Sequence, residues 1–115
     1  MFRWIEIYNF GKHGLEVHPD GSLRVIDIDG KKLCLIRRGA AYFALDNKCP
    51  HAGASLGQGW CEENYLVCPI HRFKYDIITG KGGVGQGDFI NTYPVKLENN
   101  KLWIGLKKNA WWQIW

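Results

Sequence analysis

The sequence has 115 residues, of which 46% are hydrophobic and 14% aromatic, a size and composition that predict one folded domain over residues 1–115 and exclude a disordered chain. Its 15 basic and 11 acidic residues give a formal net charge of +4, but no basic block is present that would predict binding to nucleic acid. No apolar run approaches the ~20 residues that a membrane-spanning helix requires, so no membrane association is expected.

The N-terminal segment MFRWIEIYNF has charges at Arg3 and Glu6 within its apolar part and no small-residue cleavage site, so it is not typical of a signal peptide. We therefore expect a cytoplasmic protein. In that compartment thiols stay reduced, and cysteines serve as ligands or nucleophiles more often than as disulfide partners.

Alternating apolar and polar residues then recur in short runs separated by turn signals. The runs LRVIDI, KLCLIRR and AYFALD are divided by Asp29-Gly30 and by Gly39, as in consecutive hairpins. Near the end of the chain, Asn99-Asn100 joins YPVKL to KLWIGL, and asparagine tolerates the positive φ of a tight hairpin turn. No stretch carries an apolar stripe at helical spacing over three turns. The sequence predicts an all-β domain of antiparallel strands.

Two regions interrupt this strand pattern, residues 48–59 and residues 69–87. Each begins near a cysteine that ends an apolar run, in AYFALDNKC and in NYLVC. Because loops on a rigid sheet commonly carry functional residues, we expect the site there. The second region includes TGKGGVGQGD, which lacks the Lys-Ser/Thr ending and the following helix of a phosphate-binding loop and is predicted to be a surface loop.

Each of these regions contains one cysteine and one histidine at short spacing. Cys49 and His51 are separated by one residue, and Cys68 and His71 by two, so both side chains of a pair can reach one metal site from a single loop. Structural zinc sites usually take two cysteines from one segment and two histidines from another, whereas each segment here supplies one of each. An iron-sulfur centre and a zinc site both use all four residues, while a Cys-His nucleophile uses only one pair. A disulfide and a purely structural role are further alternatives.

The two segments resemble the Rieske 2Fe-2S family. The resemblance rests on CPHAG and CPIH, followed by Tyr75-Asp76 and Thr79-Gly80, and extends over roughly residues 40–106. It implies a Rieske fold, with antiparallel β-sandwich or barrel-like sheets and a small cluster-binding subdomain, approximately residues 46–88, formed by two loops. It also implies a 2Fe-2S cluster with two thiolates on one iron and two imidazoles on the other, bound by Cys49, His51, Cys68 and His71.

From the family resemblance we also expect a low reduction potential. In the high-potential members of cytochrome bc-type complexes, two further cysteines bridge the cluster loops, where this chain has Ala54 and Ile70, and a serine donates its hydroxyl to a cluster sulfur, where this chain has Phe73. Hydrogen bonds to the sulfurs stabilise the more negative reduced state. We therefore predict a potential in the lower part of the family's span of roughly −150 to +300 mV.

Three more residues receive roles near the cluster from the resemblance. Tyr75 matches a tyrosine whose hydroxyl bonds a ligand sulfur, with a plain core aromatic as the alternative. Gly53 is expected to let the backbone curl around the sulfides, or to be an ordinary turn glycine. Pro69 is expected to stiffen its loop, or only to start a turn. The third loop around the cluster often contains proline in this family, but here it reads GKGGVGQGD, so a less rigid loop is expected.

The remaining cysteines and histidines have ordinary explanations. Cys34 lies in an apolar strand and Cys61 follows Trp60, and both are predicted to be small core residues. His13 and His18 are predicted to be surface histidines. The C-terminal AWWQIW is expected to pack against the N-terminal strand around Trp4 or to contact a partner.

The predicted function follows from the resemblance and from what the chain lacks. There is no room for the mononuclear iron domain of an oxygenase and no flavin or nicotinamide fingerprint, so no catalytic activity is expected from the chain alone. The resemblance implies a soluble ferredoxin that carries one electron from a flavin-dependent reductase to a terminal oxygenase. A small subunit of an assimilatory nitrite reductase, paired with its large subunit, and a zinc-binding interaction module are the alternatives. The sequence does not indicate the oligomeric state.

Overall fold

The computed structural model describes residues 2–13, 18–50, 53–70 and 72–107. Within these residues the chain forms ten strands, and all of the strand pairs are antiparallel, so the predicted all-β fold is confirmed. The strands are β1 (Phe2–Asn9), β2 (Leu23–Ile28), β3 (Lys31–Arg38), β4 (Ala41–Asp46), β5 (Trp60–Glu62), β6 (Tyr65–Val67), β7 (Lys74–Asp76), β8 (Thr92–Tyr93), β9 (Val95–Glu98) and β10 (Lys101–Lys107).

The helical content of the described residues is limited to single turns. The helix α1 (Phe10–His13) has four residues, and a 3-10 turn (Leu56–Gln58) has three. Among the described residues, no helix has the length and apolar character needed to cross a bilayer.

The strands form three sheets, with the orders β1-β10-β9, β2-β3-β4-β8 and β5-β6-β7. In the first sheet, the first strand of the chain pairs with the last, from Phe2 opposite Lys107 to Asn9 opposite Lys101. This pairing brings the two ends of the described chain together, although most of the sequence lies between them.

Tight turns join neighbouring strands at the predicted places. Asp29 and Gly30 connect β2 to β3 with φ of 52° and 83°, and Asn99 and Asn100 connect β9 to β10 with φ of 56° and 60°. Gly39, between β3 and β4, has φ 60°. Glycine and asparagine adopt this left-handed region more readily than other residues, so the hairpin predictions are confirmed.

The second sheet lies between two hydrophobic cores. On β3, Cys34 and Ile36 face one core, while Leu33 and Leu35 face the other, and all four are buried. Successive side chains of a strand point to opposite faces, so the continuous apolar run LCLI is the pattern of a strand covered on both sides. The two cores are therefore stacked on either side of the second sheet.

The core on the side of the third sheet also surrounds the two motif cysteines. Its buried members are Cys34, Ile36, Leu45, Cys49, Leu56, Leu66, Cys68, Tyr75, Ile77 and Ile90. The other core takes residues mainly from the first two sheets, namely Phe10, Ile28, Leu33, Leu35, Ala44, Leu102, Ile104 and Leu106.

One of the two predicted interruptions contains a strand that the sequence analysis missed. Within residues 69–87, the three residues Lys74–Asp76 form β7 and pair with β6. A strand of three residues is too short to show an alternating pattern, and only its middle residue, Tyr75, is fully buried. The other interruption, residues 48–59, contains the 3-10 turn and an isolated bridge between Lys48 and Ser55.

Candidate metal centre

Two loops of six residues follow β4 and β6, and each begins with a cysteine. In residues 49–54, the backbone N–H of Cys49 donates to the carbonyl of Ala54 at 2.9 Å, and the N–H of Gly53 donates to the carbonyl of Cys49 at 2.8 Å. In residues 68–73, the N–H of Cys68 donates to the carbonyl of Phe73 at 2.8 Å. The first and last residues of each loop are thus joined by the same backbone hydrogen bond.

Both loops reverse direction at their fifth residue. Gly53 has φ 66° and Arg72 has φ 57°, so the two residues adopt the same left-handed conformation. Glycine accepts it freely, whereas for another L-residue it costs roughly 1–2 kcal/mol. The sequence analysis assigned a turning role to Gly53 but did not find its counterpart, because arginine gives no sequence signal for positive φ.

The two loop cysteines lie together in the core. Cys49 and Cys68 are both fully buried. Burial raises the pKa of the Cys68 thiol, the backbone hydrogen bond at Ile70 opposes this rise, and the hydrogen bond to Cys49 adds to it. A thiol in such a place loses its proton most readily when a cation takes the sulfur as a ligand.

The donor set fits a group that takes thiolate ligands. Adjacent sulfur donors without water around them suit iron-sulfur clusters and zinc, and the metal would supply the positive charge that offsets the burial of thiolates. The described part of the chain contains no group of three or more metal-ligating side chains. The other two predicted ligands, His51 and His71, lie outside the described residues.

Tyr75 on β7 places its hydroxyl between a sulfur and a carboxylate. The side chain is fully buried, its Oη lies 3.7 Å from Sγ of Cys49, and the same hydroxyl donates to Oδ2 of Asp88 at 2.8 Å. Burial, followed by the hydrogen bond to Asp88, raises the pKa of this phenol well above its usual range. Tyr75 therefore remains protonated at neutral pH, with a single proton available to two neighbours.

The third loop, GKGGVGQGD at residues 80–88, is hydrogen-bonded to β7 through a side chain. The carboxamide of Gln86 accepts a hydrogen bond from the backbone N–H of Lys74 at 2.8 Å and donates to the carbonyl of Lys74 at 3.0 Å, as a neighbouring strand would. Gln86 also donates to Oδ1 of Asp88 at 3.3 Å. The GKGGVGQGD segment thus lacks proline but is attached to β7. Sequence analysis missed Gln86 and Asp88, because a contact across 12 residues leaves no local pattern.

Phe73, Pro69 and Ile70, which the sequence analysis placed near the cluster, differ in how far they are buried. Phe73 is half-buried and packs against the core that contains the two cysteines. Pro69 is exposed, and its ring passes so close to Gly59 that a Cβ there would lie 3.2 Å from Cδ of Pro69. Ile70 has an exposed fraction of 44%, so it presents an apolar side chain at the surface immediately before His71.

The prediction that His18 is a surface histidine is wrong. Its exposed fraction is 2%, and its ring lies 4.4 Å, 6.1 Å and 5.6 Å from the ring centroids of Tyr8, Phe10 and Tyr42. Nδ1 is 3.4 Å from the hydroxyl of Tyr42, while Nε2 is buried and has no hydrogen-bond partner among the described residues. The surrounding rings come from distant parts of the sequence, so the local sequence EVHPD gave no sign of burial.

The remaining predictions have mixed outcomes. Cys34 is fully buried, as predicted, and burial, with a smaller contribution from Cys61, raises the pKa of its thiol to about 12. Cys61 is half-buried and packs against the same core. The side chain of His13 and the AWWQIW segment lie outside the described residues. Trp4 is partly exposed, with the Nζ of Lys96 4.3 Å from its ring centroid.

Comparison with known proteins relates the chain to electron-transfer components. The sequence model described as the Rieske [2Fe-2S] domain matches residues 12–94. The ferredoxin component of the naphthalene 1,2-dioxygenase system of Pseudomonas aeruginosa is 34% identical over 91 residues, which cover 76% of this chain and 86% of that protein.

Two solved structures share the fold. The ferredoxin of carbazole 1,9a-dioxygenase from Nocardioides aromaticivorans has a TM-score of 0.77 and 23% identity, covering 88% of this chain and 95% of that one. A protein described as an NADH-dependent nitrite reductase small subunit from Mycobacterium tuberculosis has a TM-score of 0.80 and 15% identity, covering 93% and 97%. At these identities the two structures establish a common fold and nothing further.

Proposed function

Because the chain belongs to the Rieske 2Fe-2S domain family, we propose that it is an electron carrier that takes one electron from a flavin-dependent reductase and delivers it to a terminal oxygenase. The observation that carries this proposal is the 34% identity to a dioxygenase ferredoxin component over 86% of that protein's length. The aligned region covers most of both proteins, so the similarity extends over the domain that would bind the cluster. On this proposal the chain has no catalytic activity alone.

The proposed ligands are divided between the two loops. Cys49 and Cys68 would bind one iron through thiolates, and His51 and His71 would bind the other through imidazoles. The contact between two buried thiols supports the first half of this assignment, and the C-x-H and C-x-x-H spacings support the second. When bound, the cluster supplies a centre that accepts and releases a single electron.

We propose a single domain over residues 1–115, with a cluster-binding subdomain at approximately residues 46–88. The third sheet, β5-β6-β7, and both cysteine loops fall within that range, and this supports the division. In the subdomain, Gly53 and Pro69 would shape the loops, while Phe73 would cover the cysteines without offering a hydrogen bond.

We further propose that the protein works in the cytoplasm. Support comes from the use of cysteines, since thiol ligands of a cluster must stay reduced, and the cytoplasm maintains that condition. The exposed side chain of Ile70, next to His71 in the sequence, supports contact with a partner protein near the cluster, because aromatic and apolar residues are favoured at the centre of interfaces.

The alternative is a small subunit of a nitrite reductase, which the shared fold with such a subunit favours. In that case the partner would be the reductase large subunit. Such subunits often lack cluster ligands, whereas all four predicted ligands are present in this chain, which weakens this alternative. The identity of the protein that accepts the electron distinguishes the two functions.

The test is electron transfer from the reduced protein to defined acceptors. We expect the anaerobically reconstituted protein to take up one electron and to pass it to the oxygenase component of a ring-hydroxylating dioxygenase, as followed by stopped-flow absorbance. His71→Ala should abolish the transfer, whereas His13→Ala, outside both loops, should retain it. Transfer only to a nitrite reductase large subunit would contradict the proposal, and so would a colourless protein with stoichiometric zinc.

A further inference from the structure

We propose that Asp88 is a positioning residue that lowers the reduction potential of the bound cluster, by holding the one hydroxyl proton of Tyr75 away from the sulfur of Cys49. This inference rests on the proposed function, because it concerns the cluster that Cys49 would bind. It assigns a role to the third loop, for which the sequence predicted a surface position and low rigidity but no effect on the cluster.

The geometry decides where the proton of Tyr75 lies. A phenol has one O–H to donate, and its two neighbours are Oδ2 of Asp88 at 2.8 Å and Sγ of Cys49 at 3.7 Å. The bond to the carboxylate is short and charge-assisted, which makes it much the stronger of the two. The hydroxyl therefore donates to Asp88 and turns oxygen lone pairs toward the sulfur.

The carboxylate is held in place by the loop that carries it. Gln86 donates to its other oxygen at 3.3 Å while pairing with the backbone of Lys74, and the N–H of Gly82 donates to the carbonyl of Asp88 at 2.8 Å. A Cβ at Gly82 would lie 2.8 Å from the backbone carbonyl oxygen of Asp88 and 2.6 Å from its Oδ1, so the close approach of the two backbone segments requires glycine there. The arrangement depends on both the loop backbone and its side chains.

Two consequences of this arrangement disfavour an added electron. A hydrogen bond donated to a ligand sulfur stabilises the more negative, reduced state, and here that donation is withheld from Cys49. The negative charge of Asp88 also lies only one hydroxyl away from the same sulfur, where it repels further negative charge. Both effects lower the reduction potential. They add to the separate effect of Phe73, which occupies the position where high-potential members of the family have a serine hydroxyl.

The test begins with Asp88→Asn, which keeps the size of the side chain but removes its charge. We expect the reduction potential to rise, with an increase of about tenfold in the equilibrium constant for reduction, or about 59 mV for one electron. The matched control is Glu98→Gln, which removes one negative charge at the exposed end of β9 in the first sheet. This control should leave the potential unchanged, whereas an unchanged or lowered potential in Asp88→Asn overturns the inference.

A double-mutant cycle isolates the part that passes through Tyr75. In a Tyr75→Phe background there is no hydroxyl to redirect, so Asp88→Asn should raise the potential by less than it does in the wild-type background. Equal rises in both backgrounds would overturn the inference. Resonance Raman spectra provide a second measurement: transfer to D₂O should shift the iron–thiolate stretch more in Asp88→Ala than in the wild type, because without an acceptor at residue 88 the Tyr75 proton can face the sulfur.

Variants that fail to assemble a cluster do not remove the test. Asp88→Ala replaces Asp88→Asn in that event, with the same expected rise.

Tyr75→Phe alone is also decisive, because a proton already given to Asp88 contributes little at the sulfur, so its removal should change the potential little. A clear fall in Tyr75→Phe would show that the hydroxyl donates to Cys49 and would overturn the inference. If the wild type holds no 2Fe-2S cluster, the proposed function fails and the inference with it; a loaded wild type with unresponsive Asp88 variants refutes the inference alone.

Discussion

At the scale of single residues, the side chain of His18 combines burial with a positively charged surrounding. Its ring packs against Tyr8, Phe10 and Tyr42. Burial lowers the pKa of His18 from its ordinary value of 6.5, and the positive charges of Arg24 and Arg37 lower it further. The folded protein therefore resists protonation of this ring, whereas the unfolded chain does not.

This difference predicts a loss of stability in mild acid. Below about pH 6.5 the unfolded chain binds a proton at His18 that the folded state does not yet bind, so the free energy of unfolding contributed by the neutral ring falls as the pH falls toward the lower folded-state pKa. His18→Phe keeps an aromatic ring and cannot be protonated. Denaturant unfolding of equally loaded samples between about pH 7.5 and about pH 5.5 should show a smaller loss in His18→Phe than in the wild type. Parallel curves for the two proteins would contradict this assignment.

At the scale of elements, the segment after β7 depends on a backbone contact that only glycine permits. Gly80 has φ 78°, its N–H donates to the carbonyl of Asp76 at 2.7 Å, and its carbonyl accepts from Ile90 at 2.8 Å. A Cβ on Gly80 would lie 2.0 Å from the carbonyl oxygen of Ile90, which is far inside van der Waals contact. The turn therefore sets how the third loop returns to the core.

We expect Gly80→Ala to destabilise the protein more than a substitution with the same backbone strain but no clash. Gly85, in the same loop, has φ 86°, and a Cβ added there would have no contacting atom within 4 Å, so Gly85→Ala should cost only the roughly 1–2 kcal/mol of the left-handed conformation. Gly80→Ala should exceed that cost by about 2 kcal/mol or more, since the backbone must move. The midpoints of chemical unfolding measure both. Equal losses would show that the contact with Ile90 does not constrain the turn.

The elements also show how far local sequence signals reach. The Asp29-Gly30 and Asn99-Asn100 turns were predictable, because the demand for positive φ is met within two residues. The burial of β3 on both faces was not predicted, although its apolar run LCLI is unbroken. The strand β7 was not predicted either, because its pairing with β6 and its attachment to Gln86 depend on residues outside its three-residue length.

At the scale of the whole molecule, several of the features that sequence reasoning missed join distant parts of the chain. The pairing of β1 with β10 joins the two ends of the described chain within one sheet, and His18 is buried by rings from β1, α1 and β4. The carboxylate of Asp88 reaches Tyr75 only because the third loop folds back along β7. The candidate site itself was predictable in its cysteines, since each ends an apolar strand-like run, but the surroundings that tune it were not.

The proposed electron carrier requires a cluster held by two thiolates and two imidazoles. The four cysteines of the chain also permit a rival, all-thiolate centre, but the described residues, which include all four, contain no group of three or more metal-ligating side chains.

Pulsed EPR of the reduced, anaerobically reconstituted protein tests this claim most directly. We predict strong couplings from two nitrogen nuclei, with one lost in His51→Ala and the other in His71→Ala. A centre containing iron and acid-labile sulfide but showing no nitrogen coupling, or a protein with no bound iron after reconstitution, would contradict the account.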